Sequence, residues 1–211
     1  MAGDEAELPI FELPVVLLPG ELLPLHIFEE RYKRMIAHCV DAEEPFGVVF
    51  HDEEGGARRI GCEARVAEVL EHFDDGRMNI VVAGERPFRV LDRFEAPEFP
   101  AGEVEPIDSP GPVDDDPDAA DRARGAFAEL VERVSGEPPE AGELADQDAY
   151  DLAARVELPV ETKQKLLELR SERERMQVLG NALSALADAV TRSREIAERA
   201  KMNGKLIIGE Q

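Results

Sequence analysis

Apolar positions before about residue 110 fall into short runs separated by turn residues; beyond it they recur at steps of three and four. The first pattern predicts strands and the second predicts helices. "LPVVLL" and "PLHIF" read as two strands joined through the Pro19-Gly20 turn, with their prolines at strand ends or on an edge. Tyr32, Met35, Ile36, Cys39 and Val40 then mark one face of an amphipathic helix over 31–40. Glu29 and Glu30 precede it, where the helix dipole favours negative charge. "PFGVVF" returns to strand, and "HDEEGGARR" is a polar loop.

Two long strands follow. Ile60, Cys62, Ala64 and Val66 alternate, after which apolar parity moves to Ala67 and Val69, so a bulge or bend is expected near 66–67. Asp74-Asp75-Gly76 reads as a hairpin turn, and Met78, Ile80 and Val82 return on one face. Gly84 interrupts that run as a tight turn or bulge, with Phe88, Val90 and Phe94 continuing after it. Long, bent, alternating strands suit a small closed barrel better than a flat sheet.

"DSPGPVDDDPDAAD" is a linker by composition. After it, Ala123, Ala126, Phe127, Leu130, Val131 and Val134 form a helical stripe. A second helix is expected from about Leu144 to Val156, and a short one between Pro159 and Leu169. "SERE" has the form of a capping box, with Ser171 as N-cap, opening a last helix whose stripe is Met176, Leu179, Leu183, Leu186 and Val190. The expected architecture is α+β, with a β-barrel carrying one helix over 8–110 and a helical part over 118–203.

Charge narrows the function classes. A net charge of −23 over 211 residues disfavours phosphate backbones and anionic membrane surfaces, and favours basic or neutral partners. Asp4, Glu5 and Glu7 stand where an export signal needs positive charge, and no segment has the roughly 20 apolar residues of a membrane span. Cys39 and Cys62 form no C-x-x-C pair and read as reduced core thiols, which points to a cytoplasmic chain.

Candidate chemistry is sparse. No metal site is expected, because the four histidines and two cysteines lack the short ligand spacing that zinc sites carry. Nor is any catalytic residue: no nucleophile elbow, metalloprotease helix motif or phosphate loop occurs. The five serines all fall in the linker or the helical part, and no cofactor motif is present. Arg86, Arg89 and Arg93 read as strand arginines paired with surface carboxylates, the alternative being an anion or peptide-carboxylate contact, with Arg86 as the peptide-binding candidate. Leu17, Leu18, Leu22 and Leu23 flank the Pro19-Gly20 turn and cannot all face one interior. Either the surplus packs against the helical part, or Leu18, Leu22 and Leu23 form an exposed lip that holds polypeptide.

"LPIFELPVVLLPGELLPLHIFEERYKRMI", "FGVV", "IGCEARV", "DDGRMNIVVAGERPFRV" and "PVETKQKLLELRSERERMQVLGNAL", in that order, resemble the N-terminal substrate-binding (LON) domain of Lon-type ATP-dependent proteases. The resemblance runs from Leu8 into the last helix. It implies a PUA-like β-barrel followed by a helical bundle, and binding of unfolded or partner polypeptide without catalysis. Pro87 departs from it where such domains often carry arginine, and Glu30 where many free-standing members carry proline. The ATPase and Ser-Lys protease domains are absent from these residues, so a recognition module without its motor is expected. Two rival readings are a PUA-like nucleic-acid-binding module, which the charge opposes, and an unrecognised hydrolase built on scattered His and acidic residues. The bound client and the oligomeric state are not legible.

Overall fold

The computed structural model describes residues 6–206 except Glu53, 96–97, 108–115 and Ala141, with the side chains of Glu95 and 201–206 also left aside. Among the described residues, seven strands are followed by most of the helix. They are β1 (Ala6–Leu13), β2 (Leu22–Ile27), β3 (Phe46–Asp52), β4 (Gly56–Ala57), β5 (Ile60–His72), β6 (Met78–Glu95) and β7 (Pro100–Pro106). Helix α1 (Glu30–Ala42) lies between β2 and β3, and α2 (Pro117–Ser135), α3 (Ala149–Ala153), α4 (Val160–Glu168) and α5 (Glu172–Leu206) come last. The class is α+β.

The sheet order is β1-β7-β6-β5-β3-β4, and β1 also pairs with β3, in parallel from Ile10↔Gly47 to Leu13↔Phe50. Pairing therefore runs in a closed circuit through β1, β7, β6, β5 and β3. β1 changes partner midway, with Ala6–Pro9 on β7 and Ile10–Leu13 on β3. Pro9, which has no N–H to give, stands at that change. Leu8, Ile10, Val49, Phe88, Val90 and Val104 form one core cluster. Phe46 and Val48 belong to a second, larger cluster, so β3 buries both faces, which explains its nearly continuous apolar run.

The larger core does not stop at the sheet. It joins Met78, Ile80 and Val82 of β6, Met35 and Ile36 of α1, and Phe127, Leu152, Leu166, Leu179 and Leu183 of the later helices. The tail of the expected linker, from Pro117, is already helix: Asp116 caps α2 by accepting from the Asp118 and Ala119 N–H groups, and Pro117 follows it. The rest of the linker, 108–115, lies outside the described residues.

Several expectations are corrected. "LPVVLL" is not a strand; the first strand is the preceding "AELPIFEL", and Val16, Leu17 and Leu18 run on as a buried arm. At Gly84 no turn interrupts β6, a single strand of 18 residues, but the expected bulge is present: Glu85 is inserted between Ala64↔Gly84 and Glu63↔Arg86. The helix expected over 144–156 shrinks to α3, whose Asp148 forms a reciprocal capping box with Asp151. Val134 is exposed, whereas its neighbour Arg133 faces α5 and donates to the Ala187 carbonyl at 2.9 Å. The bulge expected near 66–67 is present, with Ala67 inserted between Val66↔Val82 and Glu68↔Val81. Ser171 accepts from the Glu174 N–H at 3.2 Å, as a cap should.

Candidate functional site

Residues 16–28 supply the surface of interest, and its geometry begins at the turn. The Glu21 N–H donates to the Leu18 carbonyl at 3.1 Å, with Pro19 second and Gly20, at φ +75°, third. Proline presets the second position of a type II turn, and glycine tolerates the left-handed third. The turn is bound to β6 by two backbone hydrogen bonds, Gly20 N–H to Gly84 O at 2.9 Å and Gly84 N–H to Glu21 O at 3.0 Å. A Cβ on residue 84 would lie 2.1 Å from the Leu18 carbonyl oxygen, so Gly84 serves close backbone approach.

Glu21 fastens the turn to the helices as well. One carboxylate oxygen accepts the Leu18 N–H at 3.0 Å, and the other pairs with Lys163 of α4. Nearby, Gln164 Nε2 donates to the Ile60 carbonyl at 3.2 Å. Much of the distinctive "LLPGE" stretch is thus spent on joining three elements.

Leu18 is fully buried, at 0% exposure, and so cannot belong to an exposed lip. Leu23 is half-buried and packs against the larger core. Leu22 is 63% exposed and faces outward. Arg86 is turned to Glu63 of β5 at 3.0 Å, its side chain 59% exposed against 8% for the glutamate. Of the four candidates, Leu22 alone is an exposed apolar group. Arg89 and Arg93 are likewise paired, with Glu105 at 3.0 Å and Glu12 at 3.8 Å.

What surrounds Leu22 is an outward sheet face. Strand alternation places Leu22, Pro24 and His26 on it, all exposed, and Phe28 just beyond is 62% exposed. Register sets Leu22 beside Ala83 and Arg65, Pro24 beside Val81 and Glu68, and His26 beside Asn79 and Glu71. The last row is hydrogen-bonded across all three strands. Asn79 Nδ2 donates to Glu71 at 3.0 Å, leaving its Oδ1 to accept from His26 Nδ1 at 2.7 Å. His26 also stacks on Phe28, with ring centroids 6.0 Å apart. Among the described residues no strand pairs with the outer edge of β2. Pro24 and Phe28 were missed in the sequence, although the alternation through "LLPLHIF" already put them on one side with Leu22.

The remaining reactive groups are dispersed. His38 contacts Glu44 at 3.3 Å and His51 contacts Glu12 at 2.9 Å, on different parts of the surface. Burial, helped by Glu44, pushes the Cys39 thiol up to about 11, and burial raises Cys62 further. Among the described residues no group of three or more His, Cys, Asp or Glu could hold a metal ion, and no helix is long and apolar enough to cross a membrane.

Comparison with known proteins gives a consistent result. The family model described as the ATP-dependent protease La (LON) substrate-binding domain matches residues 7–185. A Lon protease of Anaeromyxobacter dehalogenans is 28% identical over 93% of the chain, and one of Paraburkholderia phytofirmans is 26% identical over 92%. The chain spans about a quarter of the length of these curated relatives, 25% and 26%. Among solved structures, the Lon N-terminal domain protein from Xanthomonas campestris superposes with a TM-score of 0.61 at 26% identity, covering 82% of this chain and 96% of that one. The N-terminal domain of a Mycobacterium avium complex Lon protease gives a TM-score of 0.68 at 19% identity, covering 85% and 98%, a likeness of fold.

Proposed function

The chain belongs to the LON substrate-binding domain family, and from that premise we propose that it is a non-catalytic polypeptide-binding module, an adaptor or quality-control component of the cytoplasm. Residues 8–110 act in this reading as a PUA-like barrel, supported by the closed circuit of strand pairing, and 118–203 as a helical subdomain packed through α2 and α5. One observation carries the reading: Leu22 on β2 and Phe28 just past its end stand more than 60% exposed, and the outer edge of β2 has no described partner. Exposed apolar side chains at this density mark interaction surfaces, and a free edge offers backbone hydrogen bonds to an extended chain. Leu22, not Leu18 or Arg86, is the contact residue, with Leu23 supporting it from below. The net charge of −23 weighs against nucleic acid as partner.

The test is a binding titration with reduced, carboxamidomethylated α-lactalbumin as the unfolded polypeptide. Leu22→Ser with Phe28→Ser should weaken binding while leaving the melting temperature in place. Leu23→Ser is kept out of this variant because Leu23 packs on the core, and its loss would confound binding with stability. Undiminished binding by the double variant would refute the face as the contact surface.

A further inference from the structure

Two hollows meet where α1 ends. One, of about 420 Å³, lies between the last turn of α1 and the outer side of β5, with Cys39, Val40, Val66 and Val69 on its walls. The other, of about 510 Å³, lies toward β1 and β7, with Pro9, His38, Phe99 and Ala101 on its walls. Glu44 lines both. Val40 and Val69 are each about two-fifths exposed, at 38% and 41%, so the apolar walls are open to solvent. Beyond Ala64, β5 pairs with β6 alone among the described residues.

Carboxylates outnumber basic groups on the rim, which also carries Arg65 and, 3.3 Å from Glu44, His38. Glu43, Glu44 and Glu68 border the first hollow, and Glu7 and Glu98 the second, all exposed. Arg65, on the β5 wall, pairs with Glu85 at 2.9 Å and donates to the Glu43 carbonyl at the rim, so part of its charge is already engaged. Helix α1 has no basic residue of its own in its last turn, and the negative end of its dipole, met by Arg65 at the Glu43 carbonyl, lies at the hollow. Glu43 sits at φ 56°, a left-handed conformation that glycine or asparagine adopts more readily, so a carboxylate stands on the rim where the backbone does not favour it. The Glu44 charge is felt inside the hollow, where it contributes to the raised pKa of Cys39.

We propose that this groove binds an extended polypeptide segment in which Lys or Arg alternates with apolar side chains. The cations meet Glu43, Glu44 and Glu68, and the apolar side chains lie on Val40, Val66 and Val69. Charge complementarity selects this occupant, since an acidic segment would be repelled by the five rim carboxylates and a purely apolar one would leave them unused. The proposal rests on the polypeptide-binding reading and narrows it to basic, apolar clients.

The experiment uses two fluorescent peptides of the same length, one alternating lysine with valine and one with glutamate in place of each lysine. Anisotropy should show saturable binding of the lysine peptide at low ionic strength and none of its glutamate counterpart. Glu43→Gln, Glu44→Gln and Glu68→Gln together should weaken the lysine peptide about tenfold, the combined worth of three exposed ion pairs. Val69→Ser should weaken it at unchanged charge. The control removes the same charge from α5 by Glu174→Gln, Glu195→Gln and Glu198→Gln. An equal loss in the control, or no loss in the rim variant, overturns the groove. If α-lactalbumin still binds through β2 in that case, the wider reading survives; if neither the peptides nor α-lactalbumin bind, both fall.

Discussion

Leu17-Leu18 and Leu22-Leu23 are identical dipeptides separated by three residues, and they meet opposite fates. The first pair is 1% and 0% exposed; in the second, Leu22 is 63% exposed and Leu23 half-buried. Hydrophobicity does not separate them. The turn between them does, because it is bound on one side to Gly84 of β6 and on the other to Lys163 of α4. Those two attachments press the arm inward. After the turn the chain enters β2, where alternation divides its leucines between the two faces of the sheet.

The largest effect should come from the inward pair. Leu18→Ala is expected to cost roughly 2–5 kcal/mol, the range for a leucine lost from a close-packed core, read as a shift in the denaturation midpoint. A cost near zero would mean that the arm is not a core element. Glu21→Gln removes the charge facing a largely buried lysine and should cost about 1–3 kcal/mol by the same measurement. Lys163→Met in the same chain should recover part of that loss, since the stranded ammonium is gone. Gly20→Ala forces a Cβ into the left-handed region and should cost about 1–2 kcal/mol, with the turn retained.

The smallest effect belongs to the outward residue. Leu22→Ser should change stability by no more than about 0.5 kcal/mol. Cys62 gives an independent check, because its sulfur lies 3.2 Å from where a Gly84 Cβ would stand, close beneath the Leu18 carbonyl. Burial raises its pKa and keeps the folded protein's thiol protonated, so alkylation at pH 8 waits on opening of the arm. Iodoacetamide should modify Cys62 at the same slow rate in the parent and in Leu22→Ser, and faster in Leu18→Ala. Raising the pH to 9 should speed alkylation of the denatured chain far more than that of the folded one.

Much of the fold was legible because it is written in local pattern. Tyr32, Met35, Ile36 and Cys39 declared α1, the parity change after Val66 declared the bulge, and Asp74-Asp75-Gly76 declared the hairpin. The first strand was misplaced because "LPVVLL" is more apolar than "LPIFEL". A fully buried arm and a buried strand carry the same signal when no ladder can be seen. The α3 region failed for a related reason: Leu144 and Val156 fit a helical period, but the Asp148 cap divides the segment.

The sequence by itself determined the element types, the acidic surface and the family likeness, since each depends on residues near one another or on composition. Which leucines would be buried was decided only by tertiary structure. Gly84, Glu21 and Lys163 are distant in sequence, and the contacts that fix the arm exist only once β6 and α4 are in place. The groove at the end of α1 has the same origin: Val40, Val69 and Phe99 share no period, and Glu44, Glu68 and Glu98 were three carboxylates among 47 acidic residues until folding set them around it. Burial and shared surface are properties of pairs of segments, and a single strand of text carries no distance between them.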